Sequence, residues 1–365
     1  MTEVLERAAD IQLQEIESEA EDSDSQPSTY DVVTYPADWT LEVLVHKIES
    51  EDILIPGYQR KYVWSIKQAS RLIESFLLGL PVPAVFLYTE PETGKLLVVD
   101  GQQRLWSIAQ YFGGDFGSEK RGKKTVFRLT GLNERSPYLG KAYADLEATD
   151  EGSFNRLKNS VLRAFIIKQL RPEDHSCVFH VFERLNTGGT QLVGQEIRNC
   201  VYHGPFNDML IKLNRLPEWR EILGRRGEDK RQRDVELVLR FFALHDEART
   251  YAKPMKEFLN RYTKRHQFDT GLERYEELFS TTTRRVLKAL GGKPFHVRAG
   301  LNAAVFDAVY VAFARRDGTA PADIQGRYKA LVSDPDFVAM VSMSTTDESV
   351  VRKRLRMAGT VLFGG

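Results

Sequence analysis

Near residue 205 the apolar pattern of this 365-residue chain changes period. Upstream, runs of strand length alternate with segments of helical spacing. Downstream, stretches near 206–214, 233–246, 254–265, 270–290, 301–315, 321–332 and 347–358 all bring apolar residues round every three to four positions, and none reads as a strand. This pattern predicts an α+β chain: a mixed domain over residues 30–203, then an all-helical domain over 204–365. The length suits two domains. Residues 1–29 are rich in Glu, Ser, Asp and Gln, with too few apolar side chains to offset the entropy of ordering, so they read as a flexible acidic arm.

Within the first domain the spacing predicts a helix over Leu41–Ile48, capped by Asp38 or Thr40. Leu54–Ile55 is a short apolar run before Pro56 and Gly57. Ser65 caps a second helix, about Ile66–Leu78, with Ala69, Leu72, Ile73, Phe76 and Leu77 on one face. Val85–Tyr88 and Leu96–Val99 flank the loop TEPETG as a β-hairpin. A helix over Gln102–Phe112 closes at Gly113-Gly114. Phe127–Leu129 is a candidate strand, 138–159 looks helical, and Val161–Gln169 is rich in β-branched residues and reads as a strand. A helix over Glu173–Leu185 opens after Pro172, and another covers roughly Val193–Val201. No run of about 18 uncharged apolar residues occurs, so no membrane-spanning helix is expected. The acidic start, MTEVLERAAD, is unlike a secretory signal, which makes the cytoplasm the default address. Cys177 and Cys200 form neither a disulfide framework nor a metal knuckle.

Charge is balanced overall, with 51 Lys and Arg against 51 Asp and Glu, but it is not evenly spread. Residues 1–52 carry −13 and residues 53–365 carry +13. A basic body suits a polyanion, although a solubilising tail on an average surface explains the count equally well. The basic excess peaks over 215–233, where Arg215, Arg220, Arg225, Arg226, Lys230, Arg231 and Arg233 are interrupted by Gly224 and Gly227. Such a loop can follow a phosphate backbone, with Arg225, Arg226, Lys230 and Arg231 as its DNA contacts. The alternative is a solvated loop laced with local ion pairs.

Three stretches carry candidate chemistry. In Val98-Val99-Asp100-Gly101-Gln102-Gln103-Arg104-Leu105 a strand ends in Asp-Gly and a helix follows at once. The first turn of such a helix has free N–H groups and positive dipole character, which suit an anion. Gly101 permits close approach to the backbone, Arg104 offers a fork of donors for phosphate oxygens, Gln102 and Gln103 can hold water or a hydroxyl, and Asp100 can hold a divalent metal or a ribose hydroxyl. The alternative is a helix start with Asp100 as its cap. Tyr58-Gln59-Arg60-Lys61-Tyr62-Val63-Trp64 pairs aromatic faces with cations, as a nucleotide or nucleic-acid contact would, or else places Tyr and Trp in the core under snorkelling cations. Arg184-Leu185-Asn186-Thr187-Gly188-Gly189-Thr190 ends a helix in a polar Gly-Gly loop that can present N–H groups to phosphates, or else is an ordinary helix-to-helix turn.

Together these stretches resemble the domain at the N-terminus of GmrSD-type (type IV) restriction endonucleases and of SspE-like phage-defence proteins. That family shows a YQR-x-Y-x-W stretch, a hairpin leading into DGQQR-L, and an F-x-R-(L/I)-N-T-G-G-T-x-L-x-x-Q-E segment. Here they stand in order as Tyr58–Trp64, Asp100–Leu105 and Phe182–Glu196, and the resemblance covers roughly residues 38–265. It implies a ParB/sulfiredoxin-like nucleotidase core. Asp100, Gln102, Gln103 and Arg104 would form the hydrolytic centre, with Asp100 at Mg²⁺ or another divalent metal. Gly101, Tyr58, Gln59, Arg60, Arg184, Asn186, Thr187, Gly188 and Gly189 would hold the NTP.

Two-part members of that family carry an HNH-like nuclease domain, which needs a His base and further ligands around a metal. Here His266 and His296 stand thirty positions apart, and His175 and His180 do not share a helix face well. The expectation is an NTP-hydrolysing, DNA-directed component of a restriction or phage-defence system without its own HNH nuclease. A nucleotide-gated DNA-binding module with little turnover is the alternative. Expected partners are DNA, including modified DNA, a separate nuclease or effector subunit, and a second copy of the chain. A metal held only by Asp100 with Glu183 or Glu196 would give at most slow nicking.

Overall fold

A computed structural model describes residues 30–55, 64–90, 93–120, 123–171, 177–185, 193–229, 231–297, 300–316 and 318–364. They divide into two compact units, with described residues spanning 30–201 and 202–364.

The first unit is built on a five-stranded mixed sheet. Its strands are β1 (Asp31–Thr40), β2 (Ile53–Leu54), β3 (Val85–Thr89), β4 (Leu96–Asp100) and β7 (Val161–Arg171), in the order β1-β7-β3-β4-β2. β1 runs antiparallel to β7 and β3 antiparallel to β4, while the β7–β3 and β4–β2 pairs are parallel. The predicted hairpin is present, with Leu87 opposite Val98. Helices α1 (Leu41–Glu49), α2 (Ile66–Leu77) and α3 (Gln102–Phe112) bury Leu41, Leu44, Ile73, Phe76, Leu105 and Ile108 with Leu87, Val98 and Leu162 in one core. Their starts follow from local chemistry. The Thr40 hydroxyl accepts the Val43 N–H, and Ser65 and Gln68 form a reciprocal capping box.

Several expectations need correction. β1 was not foreseen: its outer residues Val33 and Tyr35 are exposed, so it lacks a clean buried alternation. Phe127 and Leu129 are fully buried but lie outside any strand, because their N–H groups bond the Gly114 and Lys141 carbonyls in adjoining turns. The strands nearby are instead β5 (Asp115–Lys120) and β6 (Lys123–Val126), an antiparallel pair too polar to read from pattern. The stretch 138–159 is broken: Gly140 is left-handed, and Asp150 ends α4 (Tyr143–Thr149) while its side chain caps α5 (Glu151–Asn159). The described part of the next helix is α6 (Cys177–Leu185), and α7 covers Gly194–Val201.

Helices are the regular elements of the second unit's described residues. The unit comprises α8 (Pro205–Leu213), α9 (Pro217–Leu223), α10 (Arg233–Glu247), α11 (Met255–His266), α12 (Glu273–Leu290), α13 (Ala303–Ala314), α14 (Ile324–Ser333), α15 (Pro335–Met340) and α16 (Glu348–Phe363). α9 and α15 were missed because 7 and 6 residues are too few to show a period. Trp219, Phe279, Phe306 and Tyr310 meet edge-on or tilted in its core. Among these apolar groups Asp307 accepts from Arg240 at 2.6 Å and from Arg354 at 3.0 Å. No described helix is long and apolar enough to cross a membrane.

Candidate functional site

The sharpest geometry lies where β4 passes into α3. Leu97, Val98 and Val99 are buried and anchor the strand, which leaves Asp100 at its end. Gly101 then turns left-handed, with φ 97°. A Cβ there would lie 2.3 Å from Val85 Cγ1, so no other residue fits without displacing β3. Gly101 is also the N-cap of α3, and no side chain caps that end. Asp100 is therefore not the helix cap, and the plain capping alternative falls away.

Asp100 is engaged by Arg104, one turn along. Arg104 Nη2 donates to Asp100 Oδ2 at 2.6 Å, and Nη1 donates to the Pro83 carbonyl at 2.8 Å. The side chains remain 14% and 35% exposed for Arg104 and Asp100, so the pair borders solvent. Gln103 turns toward the preceding segment, where its Oε1 accepts the Trp64 N–H at 3.3 Å, and its carbonyl accepts the Ser107 hydroxyl at 2.6 Å. Gln102 is half-buried at the first helical position. The turn thus unites Asp100, Gly101, Gln103 and Arg104, and it ties Trp64 to them through the backbone.

Trp64 itself is half-buried, so the alternative that places it fully in the core does not hold for it. Tyr58, Gln59, Arg60 and Tyr62 lie outside the described residues, as do Asn186, Thr187, Gly188 and Gly189. Arg184 is exposed in the last turn of α6, a helix that packs against β4.

Residues 41–203 match the family model of the GmrSD restriction endonuclease N-terminal domain. No curated protein matches the chain. The GmrSD-like region holds the whole Asp100–Arg104 turn and ends just before α8, the first helix of the second unit.

A second feature of this GmrSD-like region escaped sequence reading. On α7 four polar side chains, Gln195, Glu196, Arg198 and Asn199, are at most 1% exposed. Arg198 Nε donates to Gln195 Oε1 at 2.9 Å, and Gln195 Nε2 donates to Asn199 Oδ1 at 2.8 Å. The Glu196 carboxylate accepts the Val193 N–H at 2.8 Å, so it secures the start of α7. Ile197, Cys200 and Val201 are buried as well, so the helix is enclosed on every side and its polar residues carry no sequence signal of their burial. Among the described residues no group of three or more His, Cys, Asp or Glu is arranged to hold a metal.

The basic loop lies beyond the GmrSD-like region. Arg220, expected in the cationic run, is a buried brace. Its Nη1 donates to Asp234 Oδ2 at 2.7 Å and to Asn214 Oδ1 at 3.0 Å, its Nε donates to the Arg225 carbonyl at 3.1 Å, and its Nη2 reaches the Gly227 carbonyl. Arg215 pairs with Glu228 at 2.8 Å. The ion-pair reading therefore holds for Arg215 and Arg220. Of the expected DNA contacts, Arg226 is exposed, Arg225 and Arg231 are half-buried, and Lys230 lies outside the described residues. Asp229 is buried beneath this loop, and desolvation raises its carboxyl above the ordinary value.

Proposed function

We propose that the chain is an NTP-hydrolysing, DNA-directed component of a restriction or phage-defence system. The observation that supports it most is the Asp100–Arg104 pair beside an uncapped helix start, inside a region similar to a restriction-endonuclease domain. Each half of the pair suits a different part of a metal–nucleotide complex. Arg104 offers its fork to phosphate oxygens, and Asp100 is one carboxylate for a divalent metal. A single protein carboxylate is an ordinary complement for Mg²⁺, whose remaining sites go to phosphate and water. When bound, the metal would neutralise charge on the phosphates. The N–H groups of the first turn of α3 cradle the phosphates. Gln102, at the first helical position, would hold the attacking water. That water's oxygen bonds to phosphorus, the bond to the bridging oxygen breaks, and a nucleoside diphosphate and inorganic phosphate leave, with the water's proton released to solvent.

In this reading the core is ParB/sulfiredoxin-like, and Tyr58, Gln59, Arg60, Arg184, Asn186, Thr187, Gly188 and Gly189 would complete the nucleotide pocket. Arg225, Arg226, Lys230 and Arg231 meet DNA, and a separate subunit supplies cleavage. A binding module with little turnover is the second reading. Its support is that Arg104 is held by both Asp100 and the Pro83 carbonyl, an arrangement suited to gating as well as to chemistry. The purified chain incubated with each NTP and Mg²⁺ separates the two. Steady release of inorganic phosphate is expected, and tight binding without release favours the module. Supercoiled plasmid in the same mixture should show at most slow nicking that disappears with Asp100→Ala.

A further inference from the structure

The positive excess of the second unit is large. Residues 202–365 hold 29 Lys and Arg against 21 Asp and Glu. Part of that excess is assembled from two turns that are distant in sequence. Gly224 ends α9 in a left-handed conformation, with φ 65°. The space where its Cβ would stand is filled by the aliphatic stem of Lys293, whose Cε would lie 2.2 Å away. A Cβ on Gly292 would sit 3.5 Å from the Glu221 carbonyl. The 291–293 turn therefore lies across the end of α9, next to Arg225 and Arg226. Lys293 and Arg226 are both exposed. The Arg225 backbone is fixed in place because its carbonyl accepts from the buried Arg220, and its own Nη1 is buried, with its charge acting on the enclosed Asp229. The carboxylate in this surface is Glu221, which is exposed.

From this we infer that Lys293 joins Arg226 in one composite surface that binds the sugar–phosphate backbone of duplex DNA. The inference rests on the DNA-directed reading above and adds a contact some seventy positions from the basic loop. The features that serve it are local. Glycine at 224 admits the Lys293 stem, and the brace from Arg220 to Asp234 holds the turn that the stem covers. The Lys293 ammonium is left in water, where it exchanges a counterion for a phosphate at little desolvation cost. His296, half-buried beside Lys293, is held below the ordinary imidazole value by burial and by that cation, so it adds no charge at neutral pH. Contacts of this kind do not read base sequence, because they reach only the backbone.

The test is binding of the full chain to a fluorescent 30-base-pair duplex, measured by anisotropy across a sodium chloride series. Lys293→Gln should weaken binding about threefold to tenfold on every duplex tried, and it should lower the salt slope by about one. Glu221→Gln should act in the opposite direction and tighten binding about twofold. A purely structural role for Lys293 would leave the slope unchanged. If Arg226→Gln weakens binding while Lys293→Gln matches the parent in affinity and slope, the composite surface is wrong and the DNA reading stands. If the parent chain does not bind the duplex at all, both fall.

Discussion

Two Asp–Arg clusters in this chain use the same groups in opposite surroundings. In the helical unit, Asp307 and Arg354 have fully enclosed side chains and Arg240 is nearly so. One carboxylate there serves two guanidinium groups, and Arg354 also reaches the Thr345 carbonyl. Burial pulls the Arg354 pKa below its usual value even with Asp307 alongside. No solute reaches such a cluster, so its work is confined to fixing how α10, α13 and α16 meet. In the first unit, Asp100 and Arg104 pair just as closely but border solvent at a glycine turn. There a ligand can take each partner separately. Equal distances thus say little about role, and access decides.

The largest effect should come from breaking the enclosed cluster. Asp307→Asn removes the carboxylate charge that Arg240 and Arg354 share and should cost about 3–5 kcal/mol, read from urea unfolding. Phosphate release per folded molecule should be unchanged. Next comes Gly101→Ala, which forces a left-handed alanine and a clash with Val85. It should cost roughly 1–3 kcal/mol and also abolish turnover, because the turn that presents Asp100 and Arg104 moves. Loss of stability with full turnover would separate the turn from the chemistry. Trp64→Ala should cost less than the roughly 3–5 kcal/mol of a fully buried aromatic, nearer 1–2, since its ring is half-buried. Its backbone N–H bond to Gln103 survives the change.

The smallest effect concerns Asp229. Burial raises its folded-state pKa, so the folded state holds this proton more tightly than the unfolded state. The group therefore lowers stability as pH rises past the unfolded carboxylate value, and the penalty is complete once pH exceeds the raised folded-state value. Asp229→Asn should raise stability at pH 7 by up to about 1 kcal/mol. The gain should vanish well below pH 4, where Asp229 is protonated in both states. A destabilised variant at pH 7 would mean that the carboxylate charge is needed in the loop.

How legible each part was follows from the physics of its signal. Helices with a full apolar face and a capping residue, such as Ile66–Leu77 after Ser65, could be read nearly to the residue. The Val98–Arg104 turn was legible because an apolar strand, an Asp-Gly and a helical period adjoin within a few positions. β1 was not legible, since an edge strand with exposed Val33 and Tyr35 shows no alternation. Nor were the roles within the basic loop. Arg220 and Arg226 look alike in sequence, and only Asp234 and Asn214, brought in by folding, turn one into a brace and leave the other in water. The buried polar face of α7 was hidden for a similar reason, because Gln195, Arg198 and Asn199 read as a solvated helix until their mutual bonds are seen.

The most direct measurement is nucleotide turnover by Arg104→Ala, with folding verified by circular dichroism. Removing a charge-assisted donor costs roughly 1.5–3 kcal/mol, so phosphate release should fall at least about tenfold relative to the parent chain at saturating NTP and Mg²⁺. A folded Arg104→Ala protein that hydrolyses NTP at the parental rate would place the chemistry elsewhere and contradict the assignment of the Asp100–Arg104 turn.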